Sequence, residues 1–476
     1  MWSSRWPSLS VTRRGGVLVL ALALAALIPA QVKAQVHYKA NGRESLAWWQ
    51  LNPHLNVYLT VTAEEALAAA EAAEQQMTSG ETLGPLHGIP VALKDNCDVA
   101  GVRMTAGAKF LRDNVAISDS EVAARLRRAG AIFLGKTHMH EWAIGATTRN
   151  PHFGPCRNPW NPTRIPGGSS GGSGAAPAAD MALATIGTDT GGSVRIPAAL
   201  NGVSGIRPTT GRVSIRGVIP VSWTFDTIGP MARRAEDVAH LLQVVAGYDP
   251  AEPTSIDAPV PDYFATLRNG VRGLRVGLCT GHFRTEPTLS VTSAVNTAAR
   301  VLQDLGAHVE ECELTKAEAM IDRMSELILT DAAAYHQERR AQRPQDFGQD
   351  VMTRLSRGAG ITGTQYALAR QAQREWQRRM EDIFTRYDVL LAPTCGLGAP
   401  VIEQSEGVET TRLLTRFTYP LNLAQIPVIS IPCGFTEEQL PIGVQVAARH
   451  WHEALVLRVA WAYQQATDWH LRRPAL

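Results

Sequence analysis

The sequence predicts an α/β protein in which helices cover both faces of a large parallel or mixed sheet. Three observations carry that prediction. Short apolar runs that suit buried strands alternate along the chain with longer helical patterns. The 476 residues are enough to bury a large core. A content of 45% hydrophobic against 19% charged residues is that of an ordinary soluble globular protein. The formal charge of +2, with no basic block outside the N-terminus, argues against nucleic-acid binding.

Residues 1–34 precede the fold. Arg5, Arg13 and Arg14 make a positive start, and 17–28 is a 12-residue apolar run, short of a membrane span. Val32-Lys-Ala34 is a small-residue cleavage site, so an export leader over 1–34 and a periplasmic or secreted mature chain over 35–476 are expected. Thr12-Arg13-Arg14 suits twin-arginine export, while Gly15-Gly16 leaves the general secretory route open.

The elements follow in order. Thr62-x-x-Glu65 is a capping box that opens an Ala-rich helix to 77. Residues 89–94 read as a buried strand. Ser118-x-x-Glu121 caps a second helix that stops at Gly130, and 131–134 is the next strand. Five prolines and no periodicity make 151–166 a loop. A helix of small residues is expected over 173–181. Another runs over 290–305, stopped by Gly306, before a strand at 308–314. A long helix at 363–386 feeds a strand at 388–391, and a strand at 427–431 and a helix at 452–465 close the chain. Residues 249–261, rich in Pro and Asp, read as a long surface linker. Cys97, Cys156, Cys279, Cys312, Cys395 and Cys433 show no C-x-x-C pair, which argues against zinc and for buried free thiols.

Two serines lie in glycine-rich turns. Ser193, in Gly187-Thr-Asp-Thr-Gly-Gly-Ser-Val-Arg195, follows Ser169, in Gly167-Gly-Ser-Ser-Gly-Gly172, by 24 positions. Glycine lets backbone approach a reacting group closely, and its N–H can face a developing oxyanion. The apolar residues around the second turn embed it in core rather than in a solvated linker. No histidine is near either serine in sequence, which makes Lys94, at the end of a buried strand, the candidate base. Burial there disfavours the ammonium form.

Rival motifs fail on mechanics. Gly130-Ala-Ile-Phe-Leu-Gly-Lys-Thr137 matches the phosphate-loop pattern, but a helix precedes it and its centre is strand-like. Gly167-Gly-Ser-Ser-Gly171 matches the nucleophile elbow, but prolines deny it a feeding strand. Asp189-Thr-Gly191 has no second copy to share a proton with. His138-x-His140-Glu141 with His152 reads as solvated or core-satisfied rather than as a metal site. Asp189 and Arg195 suit a buried ion pair that holds the turn, and Asp226 and Thr394 suit loop-fixing roles.

Ordered motifs from Leu86-His-Gly-Ile-Pro-Val-Ala-Leu-Lys-Asp-Asn96, through Gly135-Lys-Thr-His-Met-His-Glu-Trp142 and both serine turns, to Asp226-Thr-Ile-Gly-Pro230, Asp388–Thr394 and Leu440–Gln445 resemble the amidase signature family. Within it, His138-Met-His-Glu141 and Asn158-Pro-Trp-Asn-Pro162 resemble indoleacetamide and mandelamide hydrolases. The resemblance implies one domain around a twisted mixed sheet over 35–476, with a signature core near 85–235. It implies a catalytic set of Ser193 as nucleophile, Ser169 as bridge and Lys94 as base. It places oxyanion donors at Thr190, Gly191, Gly192 and Ser193, and an acyl pocket beside Trp142, Ala143 and Ile144. The expected activity is hydrolysis of a carboxamide to acid and ammonia or amine, with no metal and no cofactor. Alternatives are an aryl-acylamidase, a carbamate hydrolase, or the A-type subunit of a tRNA-dependent amidotransferase. The expected partners are a small-molecule amide and at most a second copy of the chain. No nucleic acid is expected, and no stable membrane insertion once the leader is gone.

Overall fold

Runs such as Val389-Leu-Leu-Ala-Pro393 are apolar at every position, the pattern of a strand covered on both faces, and this one forms such a strand. Its alternate side chains divide between two cores. Val389 and Leu391 join the core around Leu241 and Val456, while Leu390 and Ala392 join the core around Leu327 and Trp376. The computed structural model describes residues 48–476 apart from Thr82, plus the backbone of four short upstream strands. The expected leader and its cleavage site lie outside the described residues, except for the strand Ala21–Ala23.

Eleven strands form one sheet. They are β1 (Tyr58–Val61), β2 (Pro90–Lys94), β3 (Ile132–Thr137), β4 (Ala184–Asp189), β5 (Ser204–Arg207) and β6 (Thr227–Ala232). The rest are β7 (Arg275–Thr280), β8 (His308–Glu313), β9 (Val389–Pro393), β10 (Val428–Phe435) and β11 (Pro441–Ala447). Their order is β8-β7-β9-β11-β10-β5-β6-β4-β2-β3-β1. β2 runs parallel to β3 and β4, and β7 runs parallel to β8 and β9. The remaining pairs are antiparallel, so the sheet is mixed, as expected.

Several boundaries differ for physical reasons. The helix Ala63–Ser79 forms, but Thr62 caps nothing with its side chain. Its hydroxyl donates instead to the Phe133 carbonyl on β3 (2.9 Å), so strand pairing wins over the capping box. The helix Glu121–Arg128 is capped by Ser120 rather than Ser118. β4 and β6 escape the sequence pattern because Gly187, Gly229 and Pro230 interrupt their apolar runs. The segment 249–261 is irregular but not a loose linker. Asp249 accepts from Ser214 Oγ (2.7 Å) and Arg216 Nε (2.8 Å), and Arg212 donates to the carbonyls of Ala258 and Pro259. All six cysteines are buried and free.

Candidate active site

Parallel neighbours deliver their C-terminal ends to one edge of the sheet, where open α/β sheets form sites. Lys94 ends β2, Thr137 ends β3 and Asp189 ends β4. The chain turns from β3 into 138–144 and from β4 into 190–193, while Ser169 and Ser170 lead into the small-residue helix Gly171–Ala178. β4 comes so close to that turn that a Cβ on Gly187 would sit 2.9 Å from Ser170 Oγ.

Lys94 and Ser169 are fully buried, and Ser193 is 9% exposed. Lys94 Nζ lies 2.7 Å from Ser169 Oγ and 2.6 Å from Thr188 Oγ1. Burial lowers its pKa to about 7, against the opposing pull of Cys97, Asp226 and Asp189. Ser170 N–H donates to the Ser193 carbonyl (3.3 Å), which draws the two serine turns together. The neighbouring Ser170 hydroxyl is engaged otherwise. It donates to the Thr188 carbonyl (3.1 Å) and accepts the Thr188 N–H (3.3 Å).

Asp189 anchors the second turn. Its carboxylate accepts from Arg195 Nε (3.1 Å), Asn422 Nδ2 (2.8 Å) and the Gly192 N–H (2.9 Å). Arg207 lies 3.4 Å away, and Arg195 also donates to Gln445 Oε1 (2.8 Å). Burial works to raise the Asp189 pKa, but the Arg195 and Arg207 charges outweigh it and hold the carboxyl ionised. The expected ion pair is therefore one part of a larger cluster. Asp189→Ala removes the carboxylate paired with two fully buried guanidinium groups and should cost about 3–5 kcal/mol in chemical denaturation. A cost under about 1 kcal/mol would show that the arginines find other acceptors.

The carbonyls of the turn fix its N–H directions, because the two groups of a trans peptide point opposite ways. The Thr190 carbonyl accepts from Asn422 Nδ2 (2.7 Å), and the Gly191 carbonyl accepts from Thr418 Oγ1 (2.6 Å). The Gly192 carbonyl accepts the Ile196 N–H (2.7 Å). Gly192 has φ +124, and a Cβ there would meet Thr418 Oγ1 at 2.5 Å, so only glycine fits. Because the Gly192 N–H is bound to Asp189, it drops out of the expected oxyanion set, which leaves Thr190, Gly191 and Ser193.

The segment 138–144 reaches the site through the His140 N–H, which donates to the Ser169 carbonyl (3.0 Å). Trp142 and Ala143 have φ +53 and +60, a strained pair of non-glycine residues. The Trp142 ring is fully buried among Phe110, His336 and Phe347, so it forms packed wall rather than open surface. Ala143 and Ile144 are also buried. His138 binds the carbonyls of Met139 and Gly154. His140 Nε2 lies 3.1 Å from Asp350 Oδ2, and Glu141 accepts from His152 (2.9 Å) and the Gly348 N–H (2.9 Å). Among the described residues, no cluster of three His, Cys, Asp or Glu is placed to hold a metal.

Sequence reasoning missed Thr188, Asn422 and Arg207. Thr188 lies inside the second serine turn, Gly187–Arg195, whereas nothing local to Asn422 signals its role. Thr394 and Asp226 do fix loops, Thr394 through Ser430 (2.8 Å) and Asp226 through Val221 N–H (2.8 Å).

A model of the Amidase family matches residues 44–457. The A-type subunit of glutamyl-tRNA(Gln) amidotransferase from Roseiflexus sp. (strain RS-1) is 41% identical over 450 residues, spanning 90% of this chain and 92% of that protein. Among solved structures, one comes from an unexpected vestigial protein complex that bears on the origins of an s-triazine catabolic enzyme. It has a TM-score of 0.83 and 34% identity, and the match covers 87% of this chain and 92% of that one. A bacterial aryl acylamidase of the amidase signature enzymes has a TM-score of 0.82 and 27% identity, covering 90% and 93%. The Roseiflexus relative overturns the expected partner set. It is by name a subunit of an enzyme named for glutamyl-tRNA(Gln), so the expectation of a small-molecule amide, at most a second copy of the chain and no nucleic acid does not hold against it. Net charge is a poor guide here because it averages a whole surface.

Proposed function

The chain belongs to the amidase family of enzymes acting on amide C–N bonds, and from that premise we propose that it is an amidotransferase component of the A type, opening a carboxamide through an acyl-enzyme on Ser193. The observation that carries the chemistry is the buried contact of 2.7 Å between Lys94 Nζ and Ser169 Oγ, beside the more exposed Ser193. Neutral Lys94 takes the Ser169 proton as Ser169 takes the Ser193 proton, and Ser193 Oγ bonds to the carbonyl carbon. The N–H groups of Thr190, Gly191 and Ser193 receive the oxyanion, each donor being worth roughly 10²–10³ in rate. The same proton then returns through Ser169 to the leaving nitrogen, the C–N bond breaks, and ammonia departs. Water opens the acyl ester to the free acid and restores Ser193, and the ammonia is then available for amidation of a glutamyl-tRNA carboxyl whose oxygen leaves on the phosphoryl group of a nucleoside triphosphate at a companion subunit. The 41% identity over nine-tenths of the chain supports that destination.

A second reading keeps the site and releases ammonia or amine to water, as an exported amide hydrolase, aryl-acylamidase or carbamate hydrolase. The leader-like pattern at 1–34 favours it. One experiment separates the two. The native protein is isolated with whatever co-purifies, its N-terminus is determined, and release of ammonia or amine from glutamine, benzamide, an anilide and an aryl carbamate is followed with and without glutamyl-tRNA. Stimulation by glutamyl-tRNA, with an intact Met1, supports the amidotransferase. A start near Gln35 and tRNA-indifferent cleavage of simple amides or carbamates refute it in favour of the second reading.

A further inference from the structure

We propose that Asp226 is a positioning residue for amide cleavage, tethering the oxyanion loop through Thr190 and holding a buried carboxylate against the end of β4. The proposal rests on the reading of Lys94, Ser169 and Ser193 given above.

The register of the sheet brings Asp226 to the site. Asp189, the last residue of β4, pairs with Thr227, the first of antiparallel β6, so the residues just beyond, Thr190 and Asp226, face each other. Asp226 Oδ1 accepts the Thr190 hydroxyl. Its Oδ2 accepts the N–H groups of Val221 (2.8 Å) and Ser222 (3.3 Å), while its own N–H donates to the Ser222 carbonyl (2.9 Å). One carboxylate therefore closes the turn 221–226 and holds an oxyanion-loop side chain to it. The turn is anchored in its own right, since Ser222 Oγ donates to Asp331 (2.5 Å), which also accepts from Tyr366 (3.1 Å).

Three ionisable groups act on the charge of Lys94. These are Cys97, Asp226 and Asp189. Burial pushes the Cys97 thiol up to about 11, so it carries no charge near neutrality. Asp189 is already matched by Arg195 and Arg207. Asp226 makes no ion pair among the described residues and feels Lys94 and, more weakly, Arg207. Burial raises its own pKa to about 6, against the three donors that favour the anion. Unlike Asp189, it has no arginine paired with it among the described residues to offset its field.

Three variants separate the two roles. Asp226→Asn keeps an acceptor for Val221 and Ser222 and removes the charge. Thr190→Val removes the tether and keeps the charge, and Thr190→Ser restores the hydroxyl. For each, kcat and KM are measured from pH 5 to 9 on an amide that the wild type cleaves, together with fluorophosphonate labelling of Ser193. In Asp226→Asn the acid limb of kcat/KM should move to lower pH by roughly half a unit or more. In Thr190→Val, kcat should fall about tenfold with the limb in place, and Thr190→Ser should recover most of it. An unmoved limb in Asp226→Asn, or full kcat in Thr190→Val, overturns the proposal. Should Asp226→Asn fail to fold, the Thr190 pair decides. A folded wild type whose Ser193 takes no label defeats the acyl-enzyme reading and this proposal with it, whereas a labelled wild type with an unmoved limb defeats this proposal alone.

Discussion

Ser193→Ala is expected to abolish turnover, with a loss of roughly 10⁴ or more, because no other group can form the covalent intermediate. Geometry singles out Ser193 among three nearby serines. Ser169 is sealed against Lys94, and the Ser170 hydroxyl is held in both roles by the Thr188 backbone. Ser193 alone of the three is not fully buried, and it sits in a loop whose Thr190 and Gly192 carbonyls are bound elsewhere, which points the Gly191 and Ser193 N–H groups away from those partners. A fluorophosphonate should label the wild type at Ser193 and leave the variant unlabelled. Since the Ser193 side chain takes no part in the Asp189 cluster, the variant should unfold at the wild-type denaturant concentration. Label on Ser169 or Ser170 would sink the assignment and return the first turn to contention as a nucleophile elbow.

How much of this was legible beforehand depended on how local each signal was. The helix Gly363–Arg386 and the strand end at Lys94 are written in uninterrupted patterns, and both form. β6 is written against its pattern, with Gly229 and Pro230 inside a central strand, and only pairing with β4 and β5 accounts for it. The serines and the lysine stand out because glycine-rich turns inside apolar sequence are rare. The residues that set their geometry do not. Asn422 is one polar residue in an apolar stretch, yet it holds both Asp189 and the Thr190 carbonyl from more than two hundred positions away. The Gly168–Ser169 peptide is cis, and no residue type there announces it. Partners are least legible of all, because composition and net charge average over a whole chain and carry no trace of one binding surface.

Lys94→Ala should lose activity on the same scale as the nucleophile variant, and Lys94→Arg should not restore it. The site needs the lysine as a neutral amine. Ser169 can hand its proton to Nζ only when the amine carries a lone pair, and burial supplies that state by bringing the lysine pKa down to about 7. Below that pH the ammonium predominates, and kcat/KM should fall about tenfold for each unit of acidification. Above it the rate should level off, since further deprotonation gains nothing. Arginine keeps its charge at every usable pH and offers no lone pair, so the substitution preserves a cation and destroys a base. It also brings a planar fork into a fully buried space built for one nitrogen between Ser169 and Thr188. The control is stability, measured by urea unfolding of all three proteins at pH 8. An arginine variant that folds and stays inactive identifies the lysine as a base. An arginine variant that retains a tenth or more of the wild-type rate would show that Lys94 acts through its charge, and Ser169 would then have to pass its proton elsewhere.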